Sequence, residues 1–416
     1  EVGRDLGAGF ILEGTIIRSG DQLRVRPKLT NTETFEVVWY AELERDLTVE
    51  GLLEVQRQVA TAVARRLSAE LIGDEQPVFA AAPPTRDLEA FDNYLRGNAA
   101  LVRRTPASVA QAIASYRRAT SLDSLFVSAL AREAYASALF VDWDWAFPGV
   151  TPEELLADAQ ELAARALALD STKAEAWLAT AYTRLLANRT RPGESLPAFE
   201  RALELRPDDA EALHQYGQTL MSMGRYGEAL AAYHGALALD PTRAMTLVPM
   251  SAISLRRGDV DQARRWIDSA VVVGPDVPYA WAIRANLRNS LGDHEGARAD
   301  AEQALAIDPS YGLPARGALA VAFNGLGDSE RATVELERAM LEVADPDAPG
   351  QTDALFIGGA LVSLGRTDEA LDFIERARPR SAWLWFYLQH SDFDSVRDQP
   401  RFIAVEREAN PNAPDG

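Results

Sequence analysis

Small and apolar residues return with a fixed period of 34 residues in the centre of the chain. Gly217 and Ala229 have the same offsets within one unit as Ser251 and Ala263 have within the next. The three contiguous units run from 210 to 243, from 244 to 277 and from 278 to 311. A period of this length predicts a helical solenoid in which each unit is a hairpin of two helices.

The spacing inside a unit explains how such a hairpin is built. Small residues at the eighth and twentieth positions let two antiparallel helices approach closely. A glycine at the fifteenth position, such as Gly224, ends the first helix because it adopts a backbone conformation that is costly for other residues. A proline at the thirty-second position, such as Pro241, ends the second helix.

These motifs resemble the tetratricopeptide repeat (TPR) family. The near-consensus copy contains Tyr216-Gly217, Gly224-Arg225-Tyr226, Ala229, Tyr233, Ala236 and Asp240-Pro241. The resemblance implies a mainly α-helical, right-handed solenoid. Weaker copies are predicted at 88–122, 125–170, 174–207, 312–346 and 351–378, which makes about eight hairpins.

The first 72 residues follow a different pattern, typical of a small α/β unit. Alternating apolar residues predict strands over 10–18 and from Leu23 to Leu29, and a third strand over 35–43. Thr48 can cap a helix that is expected to reach about Leu71. We therefore expect about three strands and one helix before the repeats.

The amino-acid sequence of this segment resembles the TolB amino-terminal-like domain. The resemblance rests on Gly3–Gly14, on Arg18-Ser19-Gly20-Asp21 and on the turn Leu29–Thr34. In that family the domain precedes TPR arrays, and the combination often forms the sensory or regulatory half of bacterial membrane-anchored protein kinases, adenylate cyclases and winged-helix regulators. The resemblance implies an extracytoplasmic location, periplasmic or extracellular.

The family domain normally begins with a strand and a helix that precede the segment found here, whereas this sequence opens at Glu1. We therefore expect a fragment or a processed product. An open sheet edge would then be completed either by sequence that is missing here or in trans by another chain. The predicted domains are a partial α/β domain at 1–72, a linker at 73–87, the solenoid at 88–379 and a carboxy-terminal cap and tail at 380–416.

Composition narrows the classes of partner. The 416-residue chain has a net charge of −20, which opposes binding to nucleic acid and to anionic membranes. It has no cysteine, and no apolar run in the sequence reaches the length of a spanning helix. Direct membrane insertion of this chain is therefore not expected.

Catalytic patterns are weak throughout the sequence. The histidines His214, His234, His294 and His390 are scattered and form no pair with metal-ligand spacing. Neither Lys28 nor Lys173 follows a glycine-rich loop, so nucleotide-binding motifs fail. We predict no catalytic residue, metal or cofactor, and a non-enzymatic scaffold.

Function is therefore expected in surfaces. The TPR resemblance implies that the first helix of each hairpin lines a concave groove, and that its second, fifth, ninth, twelfth and thirteenth positions face a peptide. The groove candidates are His214, Gln218, Met221, Arg256, Tyr279, Asn286, Asn289, Arg316, Phe323 and Asn324. Family members that bind a terminal carboxylate use a lysine-rich clamp, which this chain lacks.

Two aromatic clusters are further contact candidates. Trp143 and Trp145 lie in an apolar loop, where docking onto a neighbouring hairpin and contact with a sugar ring or a protein are both open. Trp383 and Trp385 are expected to cap the exposed face of the last hairpin. Two functions follow: a recognition module for protein or peptide segments, or a self-assembling extracellular filament subunit joined through its sheet edge and its aromatic end.

Overall fold

The computed structural model describes residues 9–68, 83–143, 145, 147–343, 345–378 and 381–412. Residues 1–8, most of the expected linker and the expected end of the first helix near Leu71 lie outside this range. The described residues group into two compact units. One comprises residues up to 95 together with 118–126, and the other comprises 96–117 and the residues from 127 onward.

The first unit contains an antiparallel sheet of four strands. They are β1 (Phe10–Ser19), β2 (Gln22–Asn31), β3 (Val37–Tyr40) and β4 (Leu43–Asp46). β1 pairs with one edge of β2, and β3 and β4 follow one another along the other edge. The sheet therefore has one strand more than the sequence pattern predicted.

The extra strand arises because the expected third strand is broken in the middle. The break lies beside Pro27, which accepts a hydrogen bond from the Ala41 amide at 3.2 Å. Proline has no N–H group, so the reciprocal bond of the ladder cannot form at this point. Pairing resumes at Leu43, opposite Val25.

The two faces of the sheet differ in polarity. Helix α1 (Val49–Ser68) contacts β2, β3 and β4, and Leu23, Leu29 and Val49 are buried. The opposite face carries ion pairs such as Arg24–Glu44 at 3.0 Å. This alternation is the one expected of an antiparallel sheet with one covered face.

Eight helical hairpins follow within the described residues, which confirms the predicted fold class. They are α2 (Leu88–Leu101) with α3 (Pro106–Leu122), α4 (Val127–Asp142) with α5 (Pro152–Leu169), α6 (Ala174–Ala187) with α7 (Leu196–Leu205), α8 (Ala210–Ser222) with α9 (Tyr226–Leu239), α10 (Ala244–Arg256) with α11 (Val260–Val273), α12 (Pro278–Ser290) with α13 (His294–Ile307), α14 (Gly312–Gly325) with α15 (Ser329–Leu341), and α16 (Gln351–Ser363) with α17 (Thr367–Arg376). Two further helices, α18 (Ala382–Leu388) and α19 (Pro400–Ala409), end the chain.

The turns between paired helices use glycine as the repeat predicts. Gly224, Gly258, Gly292, Gly327 and Gly365 all have a φ angle between 73° and 81°. This left-handed conformation is unfavourable for residues with a Cβ atom. The aspartates after Gly258 and Gly292 then cap the next helix, because Asp259 accepts from the Gln262 amide and Asp293 from the Gly296 amide.

The first helices of the later hairpins contact one another in order along the chain: α4 with α6, α6 with α8, α8 with α10, α10 with α12, α12 with α14, and α14 with α16. They form one continuous layer of the solenoid. α18 contacts this layer at α16 and α8, which belong to hairpins far apart in sequence. The solenoid therefore carries its own carboxy-terminal helix on the layer of first helices.

Candidate functional site

A cavity of about 440 Å³ lies between the layer of first helices and the carboxy-terminal segment that α18 begins. α8, α10, α12 and α16 supply one wall, and residues between Trp383 and Asp394 supply the opposite wall. Asp142 and Trp143, at the end of α4, complete the lining. The cavity falls within the range of roughly 300–1,000 Å³ that small-molecule sites occupy.

Seven of the residues singled out in the sequence line this cavity. They are Gln218, Met221, Arg256, Tyr279, Asn286, Trp143 and Trp383. The first five belong to first helices at the ninth, twelfth, thirteenth, second and ninth positions of their units. The structure thus brings together half of the groove candidates and one tryptophan of each aromatic cluster.

Arg256 connects the first-helix layer to the carboxy-terminal segment. Its Nη2 donates to the backbone oxygen of Phe386 at 2.7 Å, and its guanidinium carbon lies 4.5 Å from the centre of the Phe386 ring. Burial lowers the pKa of Arg256 below its ordinary value. The arginine therefore holds α18 by a hydrogen bond and a cation–π contact, in a setting that disfavours its charge.

Aromatic rings form the side of the cavity near α4. The Trp143 ring lies 4.9 Å from that of Tyr279 and 5.3 Å from that of Trp145, measured between centroids. Tyr279 also contacts Tyr311 at 6.3 Å. Trp143 and Trp145 pack against a buried cluster that contains Ala282 of α12 and Tyr311. Their contact with a sugar ring or a protein stays a prediction.

Gln218 and Met221 meet the cavity from α8 and are held by Tyr233. The Tyr233 hydroxyl donates to Gln218 Oε1 at 2.8 Å and lies 3.6 Å from the sulfur of Met221. Burial raises the pKa of Tyr233 well above its ordinary value, so the hydroxyl keeps its proton. The oxygen of the Gln218 amide is thereby occupied.

Three of the remaining groove candidates make hydrogen bonds between helices and do not line the cavity. His214 is buried and lies 3.2 Å from the Thr246 hydroxyl. Asn289 donates to the Ala318 carbonyl at 2.8 Å, and Asn324 donates to the Ser363 carbonyl at 2.8 Å. These contacts join neighbouring first helices.

The last two groove candidates also make contacts inside the solenoid. Arg316 forms ion pairs with Glu335 at 2.9 Å and with Glu342 at 2.8 Å. Phe323 is buried, and the Arg331 guanidinium lies 5.0 Å from its ring centre. Their role as groove ligands stays a prediction.

The tryptophans outside the cavity also serve packing. Trp145 contacts Phe140 at 5.4 Å, with the rings nearly perpendicular. Trp385 packs against two buried clusters, one of which centres on Leu384 and Phe402.

The sequence predicted only some of the packing contacts of the carboxy-terminal segment. Leu384 and Leu388 pack against the last hairpin, while the role expected for Trp383 and Trp385 as its cap stays a prediction. Phe386 packs instead with Leu220 and Met250 of α8 and α10. The aromatic residues concentrated at 383–387 were the signal in the sequence for this segment. Their spacing does not indicate which of the two apolar surfaces each ring packs against.

A buried cluster of charges lies on the same layer of helices. Glu211 forms ion pairs with Arg104, at 2.6 Å, and with Arg243, and its other oxygen accepts from the Tyr135 hydroxyl. Burial raises the pKa of Glu211, but the attraction of Arg104 and Arg243 outweighs this effect and holds the pKa well below its usual value. The cluster joins the α2–α3 turn, α4, α8 and the start of α10.

No group of three or more histidine, aspartate or glutamate side chains among the described residues has an arrangement that can hold a metal ion. No helix in the described ranges combines the length and apolar character needed to cross a membrane.

Comparison with known proteins identifies the repeats. Family models described as tetratricopeptide repeat match residues 198–231, 220–287 and 278–311. A search of curated protein sequences gives no match.

One solved structure supports the fold, and two others are similar to a lesser degree. The crystal structure of the Cut9–Hcn1 hetero-tetramer of the APC/C is similar with a TM-score of 0.54 and 12% identity, over 76% of this chain and 55% of that one. The yeast Tom70 structure has a TM-score of 0.46 and 17% identity, over 85% of this chain and 75% of that one. A tetratricopeptide repeat protein from Parabacteroides merdae has a TM-score of 0.42 and 13% identity, over 68% of this chain and 98% of that one. At 12% identity the likeness to the Cut9–Hcn1 structure concerns the fold alone.

Proteins built of these repeats mediate protein–protein interaction, and their fold is typically a non-enzymatic scaffold. The matched segments overlap one another in sequence, and helical hairpins continue on both sides of them. Residues 198–311 are therefore tetratricopeptide repeats within a longer solenoid of helical hairpins.

Proposed function

We propose that the chain is a protein-recognition scaffold whose layer of first helices binds a helical segment carrying aromatic side chains. The single observation that carries this proposal is α18, a short helix of the chain itself that lies on this layer and contacts α8 and α16. The layer thus has the shape and chemistry to hold such a segment. In this structure the segment is supplied in cis.

The contacts of α18 resemble those expected of a bound peptide. Arg256 holds a backbone carbonyl of the helix, and the Phe386 side chain, 7% exposed, fills an apolar pocket between α8 and α10. The Ala382 amide donates to the Arg189 carbonyl at 3.2 Å. An aromatic anchor in a pocket is the usual way in which a groove recognises a helix, and the two main-chain bonds here use groups near the ends of α18 that the helix itself leaves free.

A partner segment would then compete with residues 381–397 for the same surface. The apparent affinity for a partner equals the intrinsic affinity multiplied by the fraction of molecules in which the resident segment has left the surface. Weakening the resident segment is therefore expected to strengthen binding in trans.

The experiment uses a fluorescent peptide with the sequence of residues 381–397 and the full chain. We expect the Phe386→Ala protein to bind the unaltered peptide about 10-fold more tightly than the wild-type protein, or more, because truncation of a buried phenylalanine costs about 3–5 kcal/mol. Fluorescence anisotropy measures the affinity. A peptide that itself carries Trp383→Ala and Phe386→Ala is the matched negative control.

A Leu341→Ala protein, altered at a side chain that is 86% exposed, controls for substitution as such. Binding of the peptide to Phe386→Ala that is no tighter than to Leu341→Ala would contradict the proposal. Circular dichroism of both variants establishes that they are folded to the same extent.

The location of the scaffold in the cell and its role in a larger regulator are also part of the proposal. Its support is the resemblance of residues 3–34 to the TolB amino-terminal-like domain, which implies the extracytoplasmic sensing or scaffolding part of a bacterial regulator. Fractionation of the source cells, followed by immunodetection, tests this location. Recovery in the cytoplasmic fraction alone would contradict it.

Self-assembly is the second candidate function, and one observation favours it. Among the described residues, β1 pairs only with β2, and its Leu12, Ile16 and Ile17 side chains are exposed. An edge strand of this kind can accept a strand from another copy. Association with carbohydrate through the exposed parts of the aromatic clusters stays a prediction.

A further inference from the structure

The cavity beside α18 contains a cation that has no acidic partner. Arg256 lines the cavity and forms no ion pair with any described residue; its guanidinium bonds only the Phe386 carbonyl and faces the Phe386 ring. Its Nε is buried and makes no hydrogen bond within the described part of the chain. A buried charge is costly unless it is paired, so this site favours an added anion.

The carboxylates that line the cavity do not supply that anion. Asp142 accepts from the Tyr182 hydroxyl at 2.7 Å and from Arg189 at 3.2 Å. Asp394 is paired with Arg397 at 2.9 Å. Both acidic groups therefore have their own partners, and Arg256 is the charge left to be balanced.

A second polar group points to the same ligand. Asn286 lines the cavity from α12, the first helix next to α10, and only 7% of the residue is exposed. Its side-chain amide makes no hydrogen bond with any residue in the described ranges. The amide atoms of Asn286 are not sealed from solvent but open to the cavity, so they are available to a bound molecule.

The rest of the lining describes the body of that molecule. Tyr279 and Trp143 form an aromatic side, Trp383 lies on the opposite wall, and Leu255 and Ile283 add aliphatic surface. Flat apolar groups bind well between aromatic rings. The cavity therefore suits a molecule that has a polar end beside Arg256 and Asn286 and an apolar end beside these rings.

We propose that the cavity is a binding site for a small organic acid, with its carboxylate at Arg256 and Asn286 and a flat apolar body between Tyr279, Trp143 and Trp383. Arginine suits a carboxylate because its donors match the two oxygens. The same chemistry occurs at the carboxy terminus of a peptide ending in an aromatic residue. We assign the site to a free small acid because residues 383–394 form the opposite wall of the cavity.

This inference goes beyond the proposed recognition of a protein segment and does not depend on it. It concerns the space that is left while α18 is in place, whereas the peptide experiment displaces α18. Each can therefore fail without the other.

Isothermal titration calorimetry of the full chain tests the site with two matched pairs of probes. They are indole-3-acetate with indole-3-acetamide, and phenylacetate with phenylacetamide. We expect at least one acid to bind with a Kd below about 1 mM. Its neutral amide is expected to bind about 10- to 100-fold more weakly, the ratio that a hydrogen bond to a charged group contributes.

Variants locate the binding. Arg256→Gln is expected to abolish the preference for the acid over the amide, and Asn286→Leu to weaken acid binding about 10-fold or more, as expected for one hydrogen bond to an ionised acceptor. Asn286→Leu leaves the contact between Arg256 and Phe386 in place, so it tests the site even if Arg256→Gln loosens α18. Arg201→Gln removes a surface arginine paired with Glu204 and is the matched control for lost charge.

Three results would overturn the proposal. They are the failure of both acids to bind, equal binding of acid and amide, and acid binding that is unchanged in both Arg256→Gln and Asn286→Leu. A short peptide ending in tryptophan, with its carboxy terminus free or amidated, distinguishes the source of the carboxylate. Tighter binding of the free-ended peptide than of indole-3-acetate would overturn the assignment to a small acid.

Discussion

His214 shows how burial changes the chemistry of one residue. It lies beside the charge cluster of Glu211, Arg243 and Arg104 and contacts the ring of Tyr233 at 5.8 Å. Burial, together with the nearby Arg243 and Arg104, lowers the pKa of His214 from 6.5 to about 3, although Glu211 opposes the shift. The folded protein therefore keeps this imidazole neutral where an unfolded chain would protonate it.

This difference predicts a dependence of stability on pH. Between pH 6.5 and about 3 the unfolded chain binds a proton at His214 that the folded chain does not, so stability is lost as the pH falls. The loss reaches at most about 1.4 kcal/mol per pH unit for one group. Urea unfolding of wild type and His214→Gln at about pH 7 and about pH 5 measures it, and the variant is expected to show the smaller decrease.

The exposed His234 provides the control, since His234→Gln is expected to keep the decrease of the wild-type protein. The measurements stay at or above about pH 5 because protonation of Glu211 lowers the stability only at more acidic pH. Its folded pKa lies well below 4.5, so its contribution is present above pH 4.5 and is lost as the pH falls through the folded value. An identical decrease in wild type and His214→Gln would contradict the assignment.

At the scale of the element, the hairpin depends on the close approach of two helices. A methyl group placed on Gly217 would lie 2.6 Å from Cε1 of Tyr233. The first hairpin repeats this arrangement, with 2.5 Å between such a methyl group on Gly97 and Cε1 of Tyr116. In the unit after Gly217 the equivalent Ser251 uses its hydroxyl to donate to the Ala263 carbonyl at 2.8 Å. Small residues at this position therefore set the distance between the paired helices.

We predict that Gly217→Leu destabilises the protein by about 1–3 kcal/mol, because the larger side chain must displace the Tyr233 ring. Thermal unfolding followed by circular dichroism measures the change. Gly227→Leu is the matched control, since no atom lies within 4 Å of a methyl group at this helical position. Equal stability of the two variants would contradict the prediction that the close approach of the paired helices requires a small residue at position 217.

At the scale of the whole molecule, contacts across the solenoid matter as much as those between neighbours. α18 begins at a hydrogen bond to Arg189, near the third hairpin, and contacts α16 of the last. Trp143, at the end of α4, reaches Tyr279 of α12. These contacts join hairpins that do not follow one another, so the solenoid is more than a sum of adjacent units.

The same contacts bear on self-assembly. Phe386 is buried in the layer of first helices and Trp383 lines the cavity, so the aromatic end offers less surface for another copy than the sequence suggests. We therefore expect light scattering across a concentration series to give a constant mass, that of a monomer of 45.4 kDa. A mass that rises with concentration, with filaments in electron micrographs, would favour the sheet edge of β1 as an assembly surface.

Local interactions explain why so much of the fold could be predicted. Three local signals predict the hairpins: helix periodicity, left-handed glycines such as Gly224 and small residues such as Gly217. Each acts over a few residues or within one hairpin, and each recurs in several units. The hairpins were therefore readable from the sequence. The break of the third strand beside Pro27 was not, because it depends on which residue of another strand lies opposite.

The candidate site shows where such reasoning ends. Helix position alone selected Arg256, Tyr279 and Asn286, which line the cavity, and equally Asn289 and Asn324, which join neighbouring helices. Local patterns were enough to predict a solenoid of hairpins with a face of first helices and an aromatic carboxy-terminal segment. The position of this segment on that face, and the cavity that it encloses, follow from the folded chain alone, because the contact of Arg256 with Phe386 joins residues 130 positions apart and no local pattern encodes it.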